Sequence, residues 1–116
     1  MQIIRILVVD DFEPLRKSVC AALAERRDFL VIGEASDGLE AIQKTVDLKP
    51  DLVLMDIGLP SQNGIEAARQ ILDLVPETKI LFLSQETSAE VIQEALSFGA
   101  SGYVVKINAG IDLFLQ

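Results

Sequence analysis

The chain has 116 residues, half of them apolar, and its 18 acidic against 10 basic side chains give a formal net charge of −8. Length and apolar content suit one domain with its own core, and the acidity excludes the positive footprint of a nucleic-acid binder and disfavours anionic membranes. With no histidine and one cysteine, the chain can contain no His-based catalysis, His metal site or internal disulfide.

The opening MQIIRILVVDD has no long apolar run and no small-residue cleavage site, and no stretch reaches the roughly 20 apolar residues of a membrane span. A cytoplasmic location is expected. Ile3–Val9 is apolar and β-branched, so it is predicted as the first strand, ended by Asp10 and Asp11. Pro14 suits the first turn of a helix, and Leu15, Val19, Ala22 and Leu23 at helical spacing carry that helix to about Arg26. Cys20 lies in this pattern and is expected to be buried and inert. Phe29–Ala35 is a second strand, more exposed because of Glu34. Asp37-Gly38 marks a turn or cap. Ala41, Ile42, Thr45 and Val46 mark a second helix, closed by Pro50.

Leu52–Met55 is a short unbroken apolar run leading straight into Asp56, Gly58 and Pro60. That pattern predicts a strand buried on both faces, as in a parallel sheet. A third helix starts near Asn63-Gly64, puts Ile65, Ala68, Leu72 and Val75 on one face and ends at Pro76. Lys79–Leu83 is the fourth strand, and Ser84 to Ser88 form a polar loop. Val91, Ile92, Ala95 and Leu96 mark a fourth helix, with Gly99 placed as its C-terminal cap. Gly102–Val105 is the fifth strand, followed by Lys106. Gly110–Gln116 begins a short fifth helix.

Strands alternating with helices across short loops predict an α/β fold with a parallel sheet, in the flavodoxin-like order 2-1-3-4-5 with right-handed crossovers. The ends of the strands then share one edge. They carry Asp10 and Asp11, Asp56, Ser84 and Lys106, and the first and third strands are neighbours. Three carboxylates converge there, flanked by a hydroxyl and an amine. Two carboxylates about 4 Å apart repel by about 4 kcal/mol at an effective dielectric near 20. A proton, Lys106 or a divalent cation would each offset this, and oxygen donors without soft ligands suit Mg²⁺. Taken singly, each residue has an ordinary structural role: Asp10 or Asp11 as a helix cap, Asp56 and Ser84 as turn caps, Lys106 as a solvated surface charge. Four strand ends that are all polar at one edge argue for a shared function.

LVVDD at the first strand, DLVLMDIGLPSQNGIE around Asp56, ILFLS at the fourth strand and GASGYVVK at the fifth closely resemble the receiver domain of two-component response regulators. The resemblance covers Ile3 to Lys106. It implies that Asp56 accepts a phosphoryl group from a sensor histidine kinase, and that Asp10, Asp11 and the Gly58 backbone carbonyl hold Mg²⁺ together with Asp56. It further implies that Ser84 and Lys106 contact phosphoryl oxygens and that Tyr103 is an aromatic switch residue. A carboxylate needs no base to act as nucleophile, and the chemistry expected is confined to Asp56, without turnover of a separate substrate. Two departures stand out: Ile107 follows Lys106 where many receivers have proline, and the last helix is short.

A flavodoxin-like cofactor binder would need a Ser/Thr/Gly-rich phosphate cradle after the first strand, where this chain has DDFEP. An aspartate-dependent phosphatase would place its nucleophile in a DxD pattern there. The alternatives retained are a stand-alone or degenerate receiver acting as an interaction module. The stretch GLPSQNGIEAARQILDLVPETKILFLS has the flavour of receivers joined to LuxR-type DNA-binding domains. The chain is thus expected to be a receiver over residues 1–116, a fragment of a longer regulator that touches DNA only through an attached domain. Its output face is expected on helix 4, strand 5 and helix 5, with dimerisation through that face and no membrane contact. The apolar residues Ile111, Leu113, Phe114 and Leu115 near the end fit a covered surface.

Overall fold

A computed structural model describes residues 2–59, 63–84, 88–97 and 99–105. In chain order these form β1 (Ile4–Val9), α1 (Glu13–Ala24), β2 (Phe29–Ala35), α2 (Gly38–Leu48), β3 (Leu52–Met55), α3 (Gly64–Leu74), β4 (Lys79–Ser84), α4 (Ala89–Ser97) and β5 (Gly102–Val105). The five strands are parallel, in the order β2-β1-β3-β4-β5. Fold class and order are those expected from the sequence. Ser84 ends β4 rather than opening the loop. The fifth helix expected over Gly110–Gln116, Lys106 and Ile107 lie outside the described residues.

Alternation along the strands splits the core in two. Leu7 and Val9 of β1, Val53 and Met55 of β3, and Ile80 and Phe82 of β4 join Ala41 of α2, Ile65, Ala67, Ala68 and Ile71 of α3, and Ala95 of α4 in one cluster. The alternate residues Ile6, Val8, Leu54 and Leu83 meet Val19 and Leu23 of α1 on the opposite face. This two-sided burial explains why Leu52–Met55 reads as an unbroken apolar run. The helical stripes are narrower than the apolar spacing implied. Val46 is 42% and Leu96 39% exposed, because α2 and α4 are surface helices that need only one face buried.

Helix starts follow the sequence signals. Asp37 caps α2 by accepting from the Glu40 N–H at 2.8 Å, and Asn63 caps α3 by accepting from the Glu66 N–H at 2.9 Å. Gly99 has φ +109°, the left-handed conformation that suits its place after α4. Cys20 is only partly buried, rather than fully as expected, and burial pushes its thiol up, away from the reactive thiolate.

The edge where the strands begin is tied together by short polar contacts. The Arg5 N–H donates to Asp51 Oδ2 and the Asp51 N–H to the Arg5 carbonyl, both at 2.9 Å. The Lys79 N–H donates to the Asp51 carbonyl at 3.0 Å, and Thr78 Oγ1 donates to the Pro50 carbonyl at 2.9 Å. The Arg5 guanidinium donates to the carbonyls of Lys49 and Leu48, at 2.8 and 2.9 Å, closing the end of α2.

Candidate functional site

At the opposite edge, register fixes which residues meet. Val9 of β1 pairs with Met55 of β3, so Asp10 and Asp56 leave adjacent strands side by side. The Asp56 N–H still donates to the Val9 carbonyl at 3.1 Å, and the Asp10 N–H to Ala35 at 3.0 Å. One carboxylate oxygen from each of Asp10, Asp11 and Asp56 lies within 4.8 Å of the others. Asp10 is buried, Asp56 half-buried and Asp11 exposed, so the cluster grades from interior to solvent and stays accessible.

Asp10 is held from three directions. Besides its N–H bond, its Oδ1 accepts from the Phe12 N–H at 2.9 Å and its carbonyl accepts from the Arg16 guanidinium at 2.9 Å. The N-cap of α1 is Phe12, which supplies no side-chain cap. Neither Asp10 nor Asp11 therefore has the helix-capping role considered for it, although Asp10 does close the turn before the helix. Arg16 also bonds Glu34 at 2.8 Å. Glu34 holds the guanidinium more firmly protonated than usual, and Arg16, then Lys17, holds the Glu34 carboxyl below the ordinary carboxylate value. Sequence reasoning passed over Arg16, because the hydrogen-bond partners that tie it to the site lie 6 and 18 positions away.

Ser84, 4% exposed, ends β4 on the same edge. Tyr103 is half-buried on β5, paired in register with Phe82, and the two rings lie 6.2 Å apart at 42°. Lys106 follows β5 in sequence but falls outside the described residues. Gly58 is exposed, and a Cβ built on it would meet nothing within 4 Å. The steric requirement for glycine sits instead at Gly64, the first residue of α3, another residue whose relation to the site was not anticipated.

Beside the acids lies a cleft of about 260 Å³ lined by Arg16, Lys17, Glu34, Ala35, Ser36, Glu40 and Lys44. Its charges pair internally, Arg16 and Lys17 with Glu34 and Lys44 with Glu40. The acid cluster, not this cleft, gathers three like charges among the described side chains.

The donor set fits a hard divalent cation. Two oxygens on one Mg²⁺, each about 2.0–2.1 Å from the metal, lie about 3–4 Å apart. Acid oxygens that all lie within 4.8 Å of one another come close to that spacing.

The response regulator receiver domain family matches residues 6–114. The chain belongs to the response regulator receiver domain family. The receiver is 40% identical over 103 residues to the transcriptional regulatory protein LnrK of Bacillus subtilis (strain 168), covering 89% of this chain and 47% of LnrK. It thus spans about half the length of that relative. Among solved structures it resembles a LuxR-family two-component response regulator from Aurantimonas sp. SI85-9A1, with a TM-score of 0.87, 34% identity, and coverage of 90% of this chain and 75% of that one. It also resembles the response regulator domain of Thermotoga maritima CheB, with a TM-score of 0.88, 38% identity, and coverage of 97% and 84%. No helix among the described residues is long and apolar enough to cross a membrane.

Proposed function

We propose that this receiver is a phosphorylation switch in which Asp56 is the phosphoacceptor. The observation that carries the reading is the meeting of the Asp10, Asp11 and Asp56 carboxylates at one sheet edge. Membership of the receiver family supports it. Asp56 is half-buried just past the end of central strand β3, accessible to a phosphodonor yet fixed by its N–H bond to Val9. Asp10, Asp11, Asp56 and the Gly58 carbonyl would hold Mg²⁺. When bound, the ion neutralises negative charge on the phosphoryl oxygens and draws the acids together.

Asp56 then acts as nucleophile. One carboxylate oxygen attacks phosphorus, an oxygen–phosphorus bond forms and the bond to the donor breaks, leaving an aspartyl phosphate. A sensor histidine kinase is the donor, and the cytoplasm is the compartment. Ser84 and Lys106 contact phosphoryl oxygens, and Tyr103 follows the Ser84 loop. The output face comprises α4, β5 and the segment after Val105, through which the receiver pairs with a second copy or controls an attached LuxR-type DNA-binding domain. Likeness to LnrK and to the Aurantimonas regulator supports that output.

Acetyl phosphate with Mg²⁺ should add one phosphoryl group by intact mass, and Asp56→Asn should abolish it. Equal labelling of wild type and Asp56→Asn overturns the assignment.

A further inference from the structure

A Cβ built on Gly64 would lie 2.1 Å from the carbonyl oxygen of Asp56, 2.8 Å from the Ile57 Cα and 2.9 Å from the Asp56 carbonyl carbon. All three atoms are main chain. At Gly33 and Gly102 the atoms that a Cβ would meet belong instead to leucine side chains, which can turn away. Gly64 opens α3 without a left-handed φ. Glycine is needed here for closeness, not for conformational freedom.

The contact is also bonded. The Gly64 N–H donates to the Ile57 carbonyl at 2.7 Å, and the same carbonyl accepts from the Leu59 N–H at 2.9 Å. One oxygen thus anchors both the tight turn after Asp56 and the first residue of α3. Asp56 is pinned on its other side by its N–H bond to Val9. The backbone that carries the Asp56 carboxylate is therefore seated between β1 and the start of α3.

We infer that Gly64 is a positioning residue for the metal and phosphoryl site: its missing side chain lets α3 seat directly on the Asp56 main chain and so sets where the Asp56 carboxylate points. This rests on the phosphoacceptor reading proposed above. A methyl group at position 64 must separate α3 from the Asp56 carbonyl from 2.1 Å to 3.0 Å or more. Mg²⁺ tolerates little departure from about 2.0–2.1 Å and near-octahedral geometry, so a shift of that size detunes the ligand set even where the fold survives.

The test compares Gly64→Ala with Asn63→Ala. The second variant removes the α3 cap, in which Asn63 Oδ1 accepts from the Glu66 N–H. It loosens the same helix start without placing an atom on Asp56. Mg²⁺ alone is titrated calorimetrically into each protein, and acetyl phosphate labelling is followed by intact mass. An osmolyte such as sucrose secures the folded state. Gly64→Ala should bind Mg²⁺ about 10- to 100-fold more weakly, the range for lost supports of metal ligands, and label correspondingly slowly. Asn63→Ala should bind and label like wild type. Wild-type Mg²⁺ affinity in folded Gly64→Ala overturns the inference alone. Equal weakening in both variants, or a Gly64→Ala chain that stays unfolded in sucrose, overturns it in favour of a purely structural role. A wild type that takes up no Mg²⁺ removes the proposed function and this inference with it.

Discussion

Asp11→Asn should make the metal-free receiver more stable and the Mg²⁺-loaded receiver less stable than wild type. Asn keeps the shape of the side chain and removes its charge. Asp11 faces two like charges whose oxygens lie within 4.8 Å. At that separation a pair repels by about 1 kcal/mol in a water-like dielectric and by about 3.5 kcal/mol at an effective value near 20. Asp11 is exposed, so the lower figure governs, and relief from both partners amounts to about 1–2 kcal/mol. For a domain of this size that raises the melting midpoint by roughly 3–8 °C. Mg²⁺ reverses the order, because an ion that binds only the native state adds about 2.7 kcal/mol at 100 times its dissociation constant. Thermal melts at low ionic strength, followed by circular dichroism across a Mg²⁺ titration, should show the two proteins crossing. A metal-free Asp11→Asn that melts below wild type, or an equal Mg²⁺ shift in both, would refute the picture of a repelling cluster relieved by a cation.

Glu34 is held below the usual carboxylate value by Arg16 and then Lys17, and Glu40 mainly by the N–H of Ser36. Both bind fewer protons in the native state than in the unfolded chain. Their contribution is present above the unfolded value near 4.5 and is lost as pH falls through the native values below it. Urea midpoints measured from neutral pH down past that point should fall for wild type and fall less for Glu34→Gln. An identical pH slope in both would remove Glu34 from the acid response. Lys49 holds a left-handed φ of +49° at the end of α2. Lys49→Gly should therefore raise stability by about 0.5–1 kcal/mol in urea unfolding, and a lower midpoint would show that the side chain contributes more than its backbone costs.

The sequence signals that succeeded were local or depended on the strand period. Apolar runs located the strands, Asp37 and Asn63 marked helix starts, and the acids stood at the ends of strands that parallel pairing brings to one edge. That pairing made Asp10, Asp11 and Asp56 legible as a group before any distance was known. Gly64 and Arg16 were not legible in the same way. The Asn63-Gly64 pair signals a helix start equally well whether or not the glycine touches Asp56. Arg16 looks like a surface cation on α1 until the fold brings Glu34 and the Asp10 carbonyl to it. Exposure of Val46 and Leu96 was also hidden, since apolar spacing reports a possible buried face and not how far the neighbouring layer reaches.

The polar ties among Arg5, Leu48, Lys49, Pro50, Asp51, Thr78 and Lys79 all lie at the edge away from the acids. They make the sheet resemble a comb, with a rigid spine at one end and the tines ending at the acids. The beginnings of β1, β3 and β4 are mutually clamped by these bonds. The phosphoryl charge proposed for Asp56 would therefore arrive at the end of the sheet opposite its polar ties.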